Sequence, residues 1–190
     1  MRRAPGIFLQ LRGYFTPSLA LIKFLRYDTF STIGWNQPQN RFEAMTETGQ
    51  LLEQIFQIEE KGDIQTALEE AVKLRAAVQT DDPTHIPAVE ATLARQMALL
   101  GRYAEARQHA EQSLQMAPED PSAVNALIVL GISLAETNHP QEAEEYFQQA
   151  AELSRKSNDW LGLGRAMHNL ATAVYLPQGK FDLAFIPLSV

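Results

Sequence analysis

The stretch Leu99-Leu100-Gly101-Arg102-Tyr103-Ala104-Glu105-Ala106 decides the fold, because it joins two helical patterns through a glycine. Apolar or small residues recur three and four positions apart before it, as far back as Val89, and after it, as far as Leu114. This spacing places each set on one face of a helix. Because glycine tolerates a positive φ, Gly101 can end the first helix and reverse the chain. The stretch therefore predicts a helix–turn–helix hairpin.

The same hairpin pattern recurs along the chain. The turn residues are 39, 37 and 41 positions apart, and they are Gly62, Gly101, Asn138 and Gly179. Five positions beyond each of them lies an alanine, namely Ala67, Ala106, Ala143 and Ala184. A period of this size indicates stacked repeats, in which each unit buries its apolar face against its neighbours. We predict an all-α fold, an α-solenoid of about 3.5 to 4 stacked antiparallel helix hairpins.

These units resemble tetratricopeptide repeats (TPR), which place small residues where two helices cross closely and large residues in the gaps. The matching residues are Leu93-Ala94, Gly101, Tyr103, Ala106, Ser113 and Pro118 in one unit, and Leu130-Gly131, Ala143, Phe147 and Ala150 in the next. The steps exceed the usual ~34 residues. The last unit holds one extra residue between Asn169-Leu170-Ala171 and Gly179. The stretch 151–169 is similar to the longer-looped repeats of large bacterial signalling regulators.

Composition narrows the class of protein. The 190 residues include no cysteine, which excludes disulfides and thiolate metal sites and favours the cytoplasm. The net charge of −7 divides into +5 over residues 1–42 and −12 over residues 43–190. Because affinity for nucleic acids rests largely on Lys and Arg neutralising phosphates, we expect the repeats to bind no nucleic acid.

Residues 1–44 lie outside the repeat pattern and form a basic leader, which we expect to be disordered or not part of the native protein. Its apolar run Leu19–Leu25 is far shorter than a membrane span and contains Lys23. As a surface helix this run could lie on an anionic membrane, although we favour no membrane contact. The change of charge beside Met45 makes that methionine an alternative start.

Residues 45–190 form the predicted repeat domain. The first three repeats run over Thr48–Asp81, Pro87–Ala117 and Ser122–Ser157, with Thr48 able to cap the first helix. The fourth begins near Trp160 and is incomplete, because Pro187 opposes its second helix. Apolar residues would then be left bare at this end. The sequence predicts either the N-terminal part of a longer repeat protein or self-association through the open C-terminal repeat. The alternative is that Pro187 bends the tail back over its own repeat.

Motifs for chemistry are missing from the sequence. There is no phosphate-binding or dinucleotide-binding glycine loop. The four histidines are 24, 30 and 29 positions apart, so no two have the i, i+4 spacing of a helical metal site. No pattern indicates paired carboxylates in a shared cleft. We therefore predict no enzymatic activity, no cofactor and no metal.

Binding of a partner at the protein surface is the class of function that remains. The TPR resemblance implies that the first helix of each repeat lines a concave face that binds a protein or peptide. The candidate residues on that face are Phe56, Arg95, Asn125, Ile128, Ile132, His168 and Asn169. Arg95 together with Asn125 and Asn169 could hold the backbone or a carboxylate of an extended peptide. Packing between neighbouring repeats is the alternative role for each candidate.

The sequence thus leaves two functional hypotheses. The first is a non-catalytic interaction scaffold that binds a partner through the concave face. The alternative is an N-terminal fragment of a multidomain bacterial signalling or transcriptional regulator, whose effector domain lies outside this sequence.

Overall fold

The computed structural model describes residues 46–81 and 83–184. Its α-helices, in chain order, are α1 Glu47–Glu60, α2 Ile64–Asp81, α3 Ile86–Leu99, α4 Tyr103–Met116, α5 Pro121–Glu136, α6 Pro140–Ser157, α7 Trp160–Asn169 and α8 Phe181–Ala184. A 3₁₀ turn, Pro83–His85, precedes α3, and a π-helical segment, Leu170–Tyr175, continues α7. All regular structure within these residues is helical. The predictions for residues 1–44, Met45 and Pro187 lie outside the described residues.

The helices pack as a series of antiparallel hairpins, α1/α2, α3/α4 and α5/α6, followed by α7 with its π-helical continuation and α8. The second helix of each complete hairpin packs against the first helix of the next, as α2 does against α3 and α4 against α5. First helices also contact one another, α3 with α5 and α5 with α7. The prediction of an all-α solenoid is confirmed.

The four predicted turn residues adopt the left-handed backbone conformation, with φ of 87° at Gly62, 76° at Gly101, 66° at Asn138 and 71° at Gly179. The following residue then donates its backbone N–H to a carbonyl five positions back. Arg102 donates to Met97 at 2.9 Å, for example. This arrangement satisfies carbonyls that the end of a helix would leave unpaired, and it reverses the chain. The four predicted turns are confirmed.

Close crossing of paired helices explains the small residues of the pattern. Ala67, Ala106 and Ala143 are completely buried. Between α5 and α6 the approach is closer still, because a Cβ atom added to Gly131 would lie 2.6 Å from a ring carbon of Phe147. Real side chains do not approach so closely, so this crossing requires glycine opposite the buried phenylalanine.

The core runs through the stack in two adjoining parts, and α5 contributes to both. Ala126, Val129 and Leu130 of α5 belong to the part formed mainly by α1 to α4. Leu127 and Ile128 belong to the part formed with α6, α7 and the π-helical segment. Helix α5 is therefore enclosed by neighbours on several sides, and nearly all of its side chains between residues 123 and 134 are buried.

The start of α1 differs from the sequence prediction. Thr46 is the capping residue, and its side-chain oxygen accepts the backbone N–H of Gly49 at 3.2 Å. Its backbone is extended, as an N-cap requires, whereas Thr48 already lies inside the helix. The prediction of Thr48 as the cap is wrong, because two threonines at this start match the same capping signal.

The extra residue of the last repeat is accommodated by the π-helical segment. There the backbone N–H of Leu176 bonds to the carbonyl of Ala171, five positions earlier, at 2.9 Å. A π-helical turn holds one more residue than an α-helical turn, so the chain still reaches its turn at Gly179. None of the helices in the described ranges combines the length and apolar character that crossing a membrane requires.

Candidate partner-binding face

Equivalent positions on successive first helices lie side by side. Phe56 and Arg95 each lie six positions before the glycine of their own turn, Gly62 and Gly101. In the structure the Arg95 guanidinium lies over the Phe56 ring, 5.8 Å from its centre. Repeat spacing therefore identifies neighbours across the face formed by the first helices.

A second pair of equivalent positions meets between α5 and α7. Asn125 lies thirteen positions before its turn residue, and Arg165 lies thirteen positions before Gly179 once the extra π-helical residue is discounted. The Nη1 atom of Arg165 donates a hydrogen bond to the side-chain oxygen of Asn125 at 2.9 Å. Sequence reasoning missed Arg165, although correcting the register for the extra residue would have found it.

We define the first-helix face by residues that share these repeat positions or lie one turn away on α7. They are Phe56, Arg95, Asn125, Arg165, His168 and Thr172. All except Arg95 are half-buried, so they contribute to the surface while their stems pack against the stack. Three of them, Asn125, Arg165 and His168, bring an amide, a guanidinium and an imidazole onto one stretch of the face.

Arg95 is held within the protein by Glu59. Its Nε atom lies 2.9 Å from each Glu59 carboxylate oxygen, and the side chain of Gln96 donates to the same carboxylate at 2.7 Å. Glu59 is 4% exposed and Arg95 is 9% exposed. The guanidinium fork that was expected to hold a peptide therefore binds Glu59, and it joins α3 to α1.

The structure buries three residues that were expected on the concave surface, Ile128, Ile132 and Asn169. The two isoleucines are at most 1% exposed and pack in the second part of the core, because α5 is enclosed by its neighbours. Asn169 is 2% exposed, and its side-chain nitrogen donates to the backbone carbonyl of Arg165 at 2.8 Å. These three residues support the first-helix face from behind, which is the packing role weighed for them from the sequence.

His168 and Thr172 extend the face along α7 and its π-helical continuation. Burial lowers the pKa of His168, so its imidazole is neutral at pH 7. The Thr172 hydroxyl donates to the backbone carbonyl of His168 at 2.8 Å. A neutral imidazole can both donate and accept, which suits it to pairing with peptide groups rather than with a fixed charge.

A separate buried network joins the first repeat to the second. The Glu90 carboxylate is 1% exposed, accepts a hydrogen bond from the Nε atom of Arg75, and lies 2.6 Å from Nδ1 of His109. Burial raises the pKa of Glu90, but the bonds from His109 and Arg75 outweigh it and leave the pKa below its ordinary value. The three residues come from α3, α2 and α4, so the network ties one hairpin to the next.

The last repeat exposes large apolar side chains. Trp160 and Phe181 are 58% and 56% exposed, and Leu161 and Leu183 are each 43% exposed. Exposed single hydrophobic residues are common on protein surfaces. Here four of them fall within 24 positions, at the starts of α7 and α8.

A sequence comparison agrees with the repeat geometry over part of the chain. A family model described as tetratricopeptide repeat matches residues 85–156, which contain the hairpins α3/α4 and α5/α6. Over these residues the chain is similar to tetratricopeptide repeats. The TPR resemblance inferred from Gly101, Ala106, Gly131 and Phe147 is therefore confirmed. TPR units in general mediate protein–protein interaction.

Comparison with solved structures extends the likeness beyond the matched TPR residues. The protein is similar to the crystal structure of BtubC (BKLC) from P. vanneervenii, with a TM-score of 0.59 and 17% sequence identity. The alignment covers 88% of this chain and 66% of that one, so the chain spans about two thirds of that protein's length. At this level of identity the similarity concerns the fold alone. The sequence matches no curated protein.

Proposed function

We propose that this TPR protein is a non-catalytic scaffold that binds an extended peptide segment of a protein partner along the first-helix face. The observation that carries the proposal is the hydrogen bond between Arg165 and Asn125, which aligns polar side chains of two neighbouring first helices. His168, three positions beyond Arg165, lies on the same stretch of α7. The absence of cysteine supports a cytoplasmic location.

Extended peptides present backbone carbonyl and N–H groups, and these groups require partners of both kinds. The Asn125 amide and the neutral His168 ring can donate and accept. The planar guanidinium of Arg165 can donate to a carbonyl, or bind a carboxylate with two parallel bonds. Phe56, at the other end of the face, adds an apolar surface that Arg95 partly covers. The face therefore favours a peptide with an acidic residue near Arg165 and an apolar residue towards Phe56.

Buried residues behind the first-helix face hold its polar side chains in place. Ile128 and Ile132 anchor α5 in the core, and the Asn169 side chain binds the backbone of Arg165. Side chains held by such packing lose less conformational freedom when a ligand binds, so more of the interaction energy appears as affinity.

Selection from a displayed library of random peptides tests this proposal, because such a library samples many short sequence motifs at once. We expect the wild-type protein to enrich peptides with a recurring acidic position, and these peptides to lose binding to Arg165→Ala and Asn125→Ala. Arg155→Ala is the matched control, because Arg155 is an exposed arginine on the second helix α6. Peptides that bind Arg165→Ala as well as wild type, or that lose binding equally to Arg155→Ala, would contradict the proposal.

A second interaction is favoured by the exposed apolar residues of the last repeat. We propose that the protein self-associates weakly through Trp160 and Phe181, which are more than half exposed. Light scattering after size-exclusion chromatography is expected to show a mass that rises with concentration for wild type. Phe181→Asp should lower that association. A wild-type mass that stays at the monomer value at every concentration would contradict this self-association.

A further inference from the structure

An apolar groove of about 370 Å³ runs between α1 and α2. Its floor is formed by the buried side chains of Ile55 and Leu74, and its sides include Leu51, Ile58 and Lys73. Leu51 is 38% exposed at the rim. On α2 the groove residues Glu70, Lys73, Leu74 and Ala77 share one helix face, and Arg75, which binds Glu90 of α3, lies outside that face.

Repeat spacing shows what this side of a hairpin does elsewhere in the stack. Thirty-nine positions after Leu51 and Glu70, which line the groove, lie Glu90 and His109 of the second repeat. In that repeat both residues take part in the network that binds Arg75 of the preceding helix α2. The equivalent of Glu70 in the third repeat is Tyr146, which packs against both parts of the core. The position of Leu51 is therefore one that, in the second repeat, contacts the preceding hairpin.

Within the described residues no helix precedes α1, so Leu51 lacks the neighbour that Glu90 has in the second repeat. We propose that the groove is occupied by the segment Leu19–Arg26 of the same chain. This inference is independent of the proposed peptide-binding function, because none of the residues that line the groove belongs to the first-helix face.

The pattern of the segment suits the groove. Leu21, Phe24 and Leu25 have the i, i+3, i+4 spacing that gives a helix an apolar face, while Lys23 and Arg26 fall on its other side. An apolar face of this kind matches a groove whose floor is Ile55 and Leu74.

Charge and chain length favour the same occupant. Residues 1–42 carry a net charge of +5, whereas residues 46–81 hold eight acidic and three basic residues, a net charge of −5. The 19 residues between Arg26 and Thr46 could span roughly 60 Å if extended, about three times the length of α1. Reach therefore does not limit docking, and opposite charge favours it.

The sequence contains no cysteine, so disulfide formation between introduced pairs tests the docking cleanly. The test pair is Phe24→Cys with Leu51→Cys at the groove rim, repeated with Leu21→Cys and Leu25→Cys to sample the register. The control pair is Phe24→Cys with Val72→Cys, because Val72 is 52% exposed on α2 but does not line the groove. Circular dichroism of the reduced proteins checks that each variant is folded.

Under mild oxidation we expect a groove pair to form an intrachain disulfide at least tenfold faster than the control pair. Both partner positions lie in the first hairpin, so the tether alone gives the two pairs effective concentrations of the same order, and a tenfold difference requires docking. Equal rates for groove and control pairs would overturn the proposal. Disulfides formed only between two chains would also overturn it, because they would place a second copy in the groove.

Hydrogen exchange of the full chain gives a second readout that needs no cysteine. Leu21→Asp with Phe24→Asp should increase amide exchange in α1 and α2 at least fivefold while leaving α5 and α6 unchanged. Phe8→Asp, in the same basic region but outside the segment, is the control and should have no effect. Unchanged exchange in α1 and α2 for the double variant would overturn the proposal.

Discussion

Glu59 and Arg95 form a buried ion pair that joins the first helices of two successive repeats. Arg95 Nε lies 2.9 Å from both oxygens of the Glu59 carboxylate, Gln96 donates to the same carboxylate, and the Phe56 ring covers the guanidinium. A buried pair of this kind contributes little net stability compared with apolar packing. Its geometry nevertheless fixes which residues of α1 and α3 lie opposite each other.

Removing one member of this pair should destabilise the protein strongly. We expect Glu59→Ala to lower the free energy of unfolding by about 3–5 kcal/mol, because the Arg95 charge would remain buried without its carboxylate. Denaturant unfolding followed by circular dichroism measures the change. Glu105→Ala is the control, since Glu105 pairs with Arg102 on the surface, and its unfolding midpoint should stay close to wild type. An equally small effect of Glu59→Ala would show that the pair is not buried as described.

The close contact of Gly131 with Phe147 predicts a coupled pair of substitutions. Gly131→Ala alone should lower the free energy of unfolding by about 1–3 kcal/mol, because its Cβ would overlap the buried ring and outweigh the gain in helix propensity. Phe147→Leu makes room for that Cβ. The double variant should therefore be more stable than the sum of the two single effects predicts. Strict additivity in a double-mutant cycle would contradict the contact.

The buried carboxylate of Glu90 predicts that the stability of the fold depends on pH. Its pKa in the folded protein lies below the ordinary value, so its network stabilises the fold above the pKa of the unfolded chain, and this contribution is lost as pH falls through the folded pKa. We expect Glu90→Gln to cost about 1–3 kcal/mol at pH 7. The difference from wild type should shrink below about pH 4. A difference that stays constant from pH 7 to pH 3 would contradict this sign.

The π-helical segment predicts that one residue of the last repeat is dispensable. Deleting Ala173, which is half-buried, should restore ordinary α-helical spacing between Ala171 and Gly179 and leave the melting temperature within a few degrees of wild type. Deleting Ala135 of α5, where no extra residue exists, is the matched control. That deletion should lower the melting temperature by roughly 5–10 °C or more. Similar losses from both deletions would contradict the assignment of the extra residue.

Local patterns explain why the fold could be predicted from the sequence. Gly62, Gly101, Asn138 and Gly179 indicate left-handed turns, and the small residues that follow mark close helix crossings. Both signals depend on a few neighbouring residues, so they can be recognised without reference to tertiary contacts. The extra residue before Gly179 was also visible, although its π-helical form was not, because an inserted residue can be absorbed in several ways.

The exposed residues of the first-helix face were harder to predict, because burial depends on residues distant in sequence. Ile128 and Ile132 have helical spacing on a first helix, but α5 is enclosed by neighbours that no local pattern reveals. In the sequence Arg95 matches a ligand-binding arginine, but in the structure its guanidinium binds Glu59, which lies 36 positions earlier. The network of Glu90 with Arg75 and His109 gave no sequence signal for the same reason.

The central claim is that the first-helix face, with Arg165 and Asn125 at its centre, binds a peptide. Fluorescence anisotropy of a labelled peptide selected on the wild-type protein tests it most directly, by comparing Kd for wild type, Arg165→Ala and Arg155→Ala. We expect Arg165→Ala to raise Kd about tenfold or more, as loss of a charge-assisted hydrogen bond implies, while Arg155→Ala leaves Kd unchanged. A Kd for Arg165→Ala equal to that of wild type would contradict the claim.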